Sequence, residues 1–389
     1  MGNMAFAPQI AVVTTSRADF GIYRAFLENA PKDWNLGLYV TGMHLDPQFG
    51  NTVEEVRKSG YPILAEIKSL LSGDDEESVA LSCALTTEGF AREFVRNKPD
   101  LLVVLGDRFE MHAAALAAIP FLLPLCHIHG GEETEGAIDN LYRHSLTKLS
   151  HLHFTSTELA KRRVLAMGED PKFVHCSGAP AIDSILTSDR MNRKELQQRF
   201  GVPEKEPFIL VTYHPLTTGN GDIAQELELL WSTLQEVPIR KVLTGSNADV
   251  GGRALNQFMK EIAKTEPDQA SFVQHFGAVG YYSAMQEAEL MIGNSSSGII
   301  EAASFGLPVV NLGDRQKGRE QSENTINARM ETSDFKMAIT KAMIPEFRAR
   351  SAAASNCYGD GKAANRIVEG LQEFLSEGAP FVKRFTLNG

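Results

Sequence analysis

The chain is short of basic residues: 38 Lys and Arg stand against 49 Asp and Glu, for a formal net charge of -11. Such a balance repels phosphate backbones and excludes nonspecific nucleic-acid binding, so a site for an anionic ligand has to be built locally. Cysteine is scarce too. Cys83, Cys126, Cys176 and Cys357 are far apart and form no CxxC pair, so they read as buried thiols of a reducing compartment rather than a disulfide framework. Long apolar runs are missing; none reaches the length that spans a bilayer. The N-terminal MGNMAFAPQIAVV has no basic segment leading an apolar one, so no signal peptide is expected. It also misses an N-myristoylation motif, because Phe6 stands where Ser or Thr is required. The expectation is a cytoplasmic protein with no membrane and no nucleic-acid partner.

What is present is an ordinary globular composition, 43% hydrophobic, in a chain of 389 residues. That length favours two or three domains. Apolar runs of strand length alternate with amphipathic helical stretches. Strands are predicted at 10–14, 37–41, 101–105, 122–128 and 152–155, with helices at 18–29, 53–59, 78–97 and 108–118 between them. The runs are continuously apolar rather than alternating, as expected when helices cover both faces of a parallel sheet. Near residues 187–207 the pattern lapses into charged, Pro-punctuated sequence, read as a helix plus linker. The rhythm then restarts, with strands at 208–213, 240–244, 271–273, 290–292 and 308–312 and helices at 223–234, 253–264 and 282–288. The predicted organisation is α/β: a first Rossmann-like domain over 1–186, a second over 187–360, and a helix in 361–389 packing back on the first. Two doubly wound domains facing each other across a cleft would bind ligands at strand C-terminal ends.

One stretch has the character of an anion site. In residues 289–319, ELMIGNSSSGIIEAASFGLPVVNLGDRQKGR, a short strand runs into a Gly/Ser turn and a helix expected over 298–305. Backbone N–H groups at a helix start are unpaired, and Ser295, Ser296 and Ser297 add hydroxyls beside them. Glu301 would repel a bare phosphate but suits sugar hydroxyls, and Arg315, Lys317 and Arg319 return on the next loop. That set describes a nucleotide-sized ligand as readily as a plain capped helix.

Other strand ends are unusual as well. Arg17 stands at the start of the first helix, where it opposes the dipole but suits a phosphate. Asp107 follows the strand 101–105. Residues 126–139, CHIHGGEETEGAID, carry two histidines, a Gly pair and four carboxylates, Glu132 and Asp139 among them, at the end of a buried strand. Asp139 and Arg143 share a helix face. No compact set such as HExxH is present, so no metal is expected. Acid/base chemistry on a sugar carbon does want carboxylates in unlike environments. In the second half His214 ends a strand before Pro215, Asn247 sits in a GSNAD turn, and Phe276 follows another strand.

Taken in order, TSRADFG, VTGMHLDPQFGNT, VLGDRFEM, HIHGGEETEGAID, RHSLTKLSHLHFTST, YHPLTT, GSNAD and GNSSSGIIEA with VNLGDRQKGR resemble the hydrolysing nucleotide-sugar 2-epimerases. These are the UDP-N-acetylglucosamine 2-epimerases of sialic acid biosynthesis and their bacterial relatives acting on diacetylated bacillosamine. The resemblance covers about residues 9–330. It implies a two-domain GT-B fold, no metal or redox cofactor, a nucleotide-sugar substrate and a dimer or tetramer. The implied reaction removes the C2 proton as the nucleoside diphosphate leaves C1, then hydrates the resulting glycal to a free manno-configured sugar.

The resemblance also assigns roles. Asp107 and Asp139 look like the catalytic carboxylates and His214 like the histidine contacting the diphosphate. Ser295 and Ser296 would bind phosphate, Glu301 the ribose, Arg315 and Phe276 the base end, with Arg17 and Asn247 completing the nucleotide site. This chain departs in one place: animal enzymes carry Glu immediately before the Gly pair, where this chain has His129. The displaced role falls to His129 or to Glu132, and Glu132 is the expectation. Rival readings are the same reaction on a GDP-linked sugar, a non-hydrolysing 2-epimerase, a GT-B glycosyltransferase and a non-enzymatic sugar-nucleotide sensor.

Overall fold

Leu101–Leu105 and Phe208–Thr212 are buried from end to end, so each has to lie inside a sheet with both faces covered. In the computed structural model each sits at the middle of its own parallel sheet. Residues 7–71, 75–133, 138–214, 223–245, 252–378, 383, 384 and 386 are described. The first sheet contains β1 (Gln9–Thr14), β2 (Asn35–Thr41), β3 (Ile63–Ile67), β4 (Leu101–Leu105), β5 (Leu125–Ile128), β6 (Leu152–Thr155) and β7 (Val174–Cys176). Its spatial order is β3-β2-β1-β4-β5-β6-β7. The second contains β8 (Phe208–Thr212), β9 (Arg240–Thr244), β10 (Ala270–Val273), β11 (Leu290–Gly293), β12 (Val309–Leu312) and β13 (Thr325–Ala328). Its order is β10-β9-β8-β11-β12-β13. Every pairing is parallel, and both sheets are doubly wound, reversing direction between β1 and β4 and between β8 and β11.

The α/β class expected from the sequence therefore holds in both halves. The strands that the apolar pattern missed are β3, β7 and β13, and all three are edge strands. An edge strand is covered less completely; only one residue of each is buried, so no continuous apolar run marks it. The strand expected over 122–128 starts only at Leu125, because Leu122 takes a left-handed turn at φ 50° after Ile119–Phe121. The stretch 187–207 holds the helix Arg193–Phe200, closed at its start by a reciprocal capping box between Asn192 and Glu195.

Two compact units result: Met1–Ser184 together with Tyr358–Gly389, and Ile185–Cys357. The last helix, Ala363–Ser376, packs against Arg17–Asn29 and sends Ile367, Leu371 and Phe374 into the core of the first unit. Asp183 receives the backbone N–H groups of Ala363 and Ala364 at 3.0 and 2.7 Å, capping that helix from a distant part of the chain. The second unit has one core on each face of its sheet. Among the described residues, no helix is long and apolar enough to cross a membrane.

Candidate functional site

In the second unit, the C-terminal ends of β8 and β11 border a cavity of about 410 Å³ at the reversal point of the sheet. Gly293 makes this possible. It has φ +143°, and a Cβ there would lie 1.9 Å from the carbonyl oxygen of Thr212, so only glycine lets β11 turn this close to β8. Asn294 follows, almost fully buried, and organises the floor. Its Oδ1 accepts from the His214 backbone N–H at 2.7 Å and its Nδ2 donates to the His214 carbonyl at 2.7 Å. Its own carbonyl accepts from Arg315 at 3.1 Å and from Gln316 at 2.8 Å. The side-chain amide thus fixes the backbone of His214, and the backbone carbonyl of the same residue anchors the loop after β12.

The helix expected over 298–305 is different in kind. An α-helix spans only Ser296–Ile300 and tightens into a 3-10 turn over Ala302–Phe305, which Gly306 ends at φ +62°. So short a helix has little macrodipole, and attraction for an anion has to come from individual N–H groups, hydroxyls and Arg315. Ser295 caps it, accepting from Ser297 N at 3.3 Å. Among the described residues that line the cavity, one carries a carboxyl group, Glu301. Burial pushes it up to about 7, the Ser297 hydroxyl offsetting part of that. The Tyr281 hydroxyl, pushed up to about 12 by burial, stays protonated and pairs with Thr212 at 3.0 Å.

In the first unit the polar residues converge on one arginine. β4 ends in Gly106, at φ +72°, which turns the chain to Asp107. β5 ends in His129, whose φ of +66° is unusual for a residue with a side chain. Gly131 is obligatory: at φ +78°, a Cβ would lie 2.3 Å from the carbonyl of Ala160. Arg143, buried on the helix Asp139–Leu149, donates to Asp107 and, at 2.7 Å, to the Glu132 carbonyl. The Glu132 side chain meets His129 Nδ1 at 2.5 Å and accepts from Ser156 Oγ at 2.6 Å. Burial alone would raise the Glu132 carboxyl. The charge and hydrogen bond of His129, the Ser156 hydroxyl and Arg143 outweigh it and hold the group down at about 2. Asp139 goes the other way, raised by desolvation and by the neighbouring Asp107. Two carboxyl groups near one arginine thus differ in their hold on a proton, as acid/base chemistry requires. His127 serves the framework: burial pushes it down to about 3, and the neutral ring bridges Gly106 O at 2.8 Å and Thr147 at 3.2 Å.

His214, Phe276, Ser295, Ser296, Glu301 and Arg315 all line the cavity between β8 and β11. Phe276 does so from a largely buried position, its ring 4.9 Å from that of Phe200. Asp107, His129 and Glu132 form the first-unit cluster, with Asp139 on the helix that carries Arg143. Arg17 stands apart, mostly exposed and paired with Glu55. Asn247 lies outside the described residues. Sequence reasoning passed over Asn294, Gln316, Tyr281 and Ser156. Only Asn294 left a signal, an amide between the glycine and the serines of GNSSSG. Among the described residues, no group of three His, Cys, Asp or Glu side chains could hold a metal ion.

A family model described as UDP-N-acetylglucosamine 2-epimerase matches residues 27–372. The chain is 36% identical over 367 residues to the UDP-N,N'-diacetylbacillosamine 2-epimerase (hydrolyzing) of Legionella pneumophila, covering 94% of this chain and 95% of that one. It is likewise 36% identical over 364 residues to the GDP/UDP-N,N'-diacetylbacillosamine 2-epimerase (hydrolyzing) of Campylobacter jejuni, covering 93% and 94%. Its fold is shared by the UDP-GlcNAc 2-epimerase of Neisseria meningitidis, solved bound to UDP-GlcNAc. The TM-score is 0.73 at 20% identity, over 94% of this chain and 100% of that one.

Proposed function

The chain belongs to the UDP-N-acetylglucosamine 2-epimerase family, and from that premise we propose a hydrolysing reaction. A UDP-linked 2-acetamido sugar, N,N'-diacetylbacillosamine or N-acetylglucosamine, is converted to the free manno-configured sugar plus UDP, supplying nonulosonic acid synthesis. The observation that carries the reading is the second-unit cavity, where hydroxyls, His214 and Arg315 surround a carboxyl group inclined to neutrality. Its lining suits a nucleoside diphosphate, with His214, Ser295 and Ser296 on the phosphates and Glu301 on the ribose. Phe276 and Arg315 serve the base end. Kinship at 36% identity with two hydrolysing enzymes supports release of the nucleotide rather than its retention.

The chemistry falls to the first-unit cluster. A C2–H bond is weakly acidic, so the C1–O bond has to break ahead of proton loss, with positive charge developing at C1. The C2–H electron pair becomes the C1=C2 bond, and the C1–O pair leaves with the diphosphate. Water then adds its oxygen to C1 while C2 takes a proton on the opposite face. Inversion at one carbon therefore calls for one group that takes a proton and another that gives one. Asp139, which holds its proton more tightly than an ordinary aspartate, suits the giving role, while Asp107, held by Arg143, opposes positive charge.

The test is incubation with UDP-N-acetylglucosamine and with UDP- and GDP-linked N,N'-diacetylbacillosamine, in heavy water enriched in oxygen-18, followed by NMR and mass spectrometry. The expected product is free sugar carrying deuterium at C2 and oxygen-18 at C1. An epimer still attached to its nucleotide, or no released nucleotide at all, would overturn the proposal.

A further inference from the structure

The epimerase reading leaves the proton-taking group at C2 open between His129 and Glu132. On the basis of that reading, we propose that His129 Nε2 takes the C2 proton, and that Glu132 and Ser156 are positioning residues behind it. Glu132 Oε1 is already engaged twice, by His129 at 2.5 Å and by Ser156 at 2.6 Å. An ionised carboxylate only accepts hydrogen bonds, so the ring proton sits on Nδ1 and the lone pair on Nε2. That Nε2 is buried and has no hydrogen-bond partner among the described residues.

Two local costs meet at this one residue. An unpaired buried polar atom is costly. So is left-handed backbone at a non-glycine residue, and His129 has φ +66°. Among the described histidines only His129 combines the two: His112, His144 and His153 also have an unpaired buried ring nitrogen, but none of them has left-handed backbone. His44 and His127 in the same unit have both ring nitrogens engaged, His44 with Thr14 at 2.9 Å and Thr52 at 2.8 Å. His153 also has a carboxylate partner, Glu169, and an unpaired Nδ1. It lies within β6, however, and Glu169 is further neutralised by Lys148 and Lys383. His129 instead directly follows a strand and is linked to Asp107 through Glu132 and Arg143: Arg143 holds that carboxylate and the carbonyl of Glu132.

The proton balance closes with these groups. Nε2 takes the C2 proton as the C1–O pair departs with the diphosphate, and the imidazolium is stabilised by the Glu132 carboxylate. Asp139 then gives its proton to the other face of C2. Water bonds to C1 and returns a proton to Asp139, and His129 loses its extra proton to solvent. Among the described residues, Glu132 is the charged group in contact with the imidazole; Arg143, which bonds to the Glu132 carbonyl, and neutral His127 belong to the same cluster.

The experiment compares His129→Gln, Glu132→Gln and Ser156→Ala with the wild-type protein. UDP release is followed across pH, and UDP affinity by calorimetry. His129→Gln should lose about 10²- to 10⁴-fold in kcat while binding UDP as before. Glu132→Gln should lose roughly tenfold in kcat with KM nearly constant, and the acidic limb of its kcat/KM profile should move to lower pH, because a neutral amide no longer favours the imidazolium. Ser156→Ala should show the same trend more weakly. If wild-type protein releases UDP and His129→Gln does so undiminished, this assignment alone is overturned. A Glu132→Gln variant that is inactive, or whose acidic limb stays in place, also overturns it and needs no His129 variant to fold. Wild-type protein that releases no nucleotide from any of the sugar nucleotides overturns the epimerase reading and this assignment together.

Discussion

The two units share one plan, a parallel sheet whose strand order reverses at its centre, yet their strand ends carry opposite chemistry. In the first unit ionisable groups are partnered with one another: Arg143 with Asp107, and Glu132 with His129. In the second, the described residues lining the cavity are mostly hydroxyl and amide groups with His214, His275, Arg315 and one carboxyl, Glu301, that burial pushes toward neutrality. The contrast arises at the residues just beyond each buried strand. Where these are Asp, His and Glu, the fold can set proton affinities apart; where they are Gly, Asn and Ser, it presents donors without a competing anion. In the proposed reaction, that difference gives proton transfer to one half and the diphosphate to the other.

Asp107→Asn should break the division most visibly. Its kcat should fall by about 10²- to 10⁴-fold while UDP affinity stays the same, as read from turnover and calorimetry. Equal loss of UDP binding would mean that the two chemistries are not separable. Asn294→Ala tests the other half. It removes the side-chain amide that holds the His214 backbone N–H and carbonyl, while the backbone carbonyl that accepts from Arg315 and Gln316 stays, so UDP affinity should weaken by about 5- to 30-fold, equivalent to roughly 1–2 kcal/mol, with a smaller change in kcat.

The smallest effect is the most diagnostic. Near pH 7 Glu301 is about half protonated in the free protein. Ribose hydroxyls favour the ionised form, so UDP binding at pH 7 should release up to about half a proton. Calorimetry in buffers of different ionisation enthalpy measures this, and proton uptake would set phosphate rather than ribose against the carboxyl. Because the folded value lies above the unfolded one, Glu301 contributes stability at low pH that is lost as pH rises through about 7. Glu301→Gln should therefore raise Tm at pH 8 relative to wild type, with little effect at pH 5.

Central strands such as β4 and β8 were legible because burial on both faces writes a continuous apolar run. The edges β3, β7 and β13 were not, since partial exposure leaves no such run. The site divides similarly. Residues at strand ends, among them Asp107, His129, His214 and Ser295, could be picked out by position. The partners that hold them could not. Ser156, Asn294 and Gln316 act across 22 to 80 residues of sequence, and no local spacing announces a contact of that range; Arg143 was marked by its spacing from Asp139, but not its reach to Asp107 and Glu132. The length of the helix after Ser295 was misjudged because the Gly306 turn comes so soon, forcing its last residues into a tighter winding.

The return of Ala363–Ser376 to the first unit reaches into how the protein is made. Residues 185–357 form the second unit, so they are synthesised in full before the first unit receives its closing helix. The usual order of synthesis, amino-terminal domain completed first, is reversed. Until the last turns of Ile367, Leu371 and Phe374 emerge, the hydrophobic surface around Phe154 and the helix Arg17–Asn29 stands open on the nascent chain. A stop or truncation that removes only the final thirty or so residues would thus spare the second unit and strand the first, to which the proposed reaction gives the proton transfers.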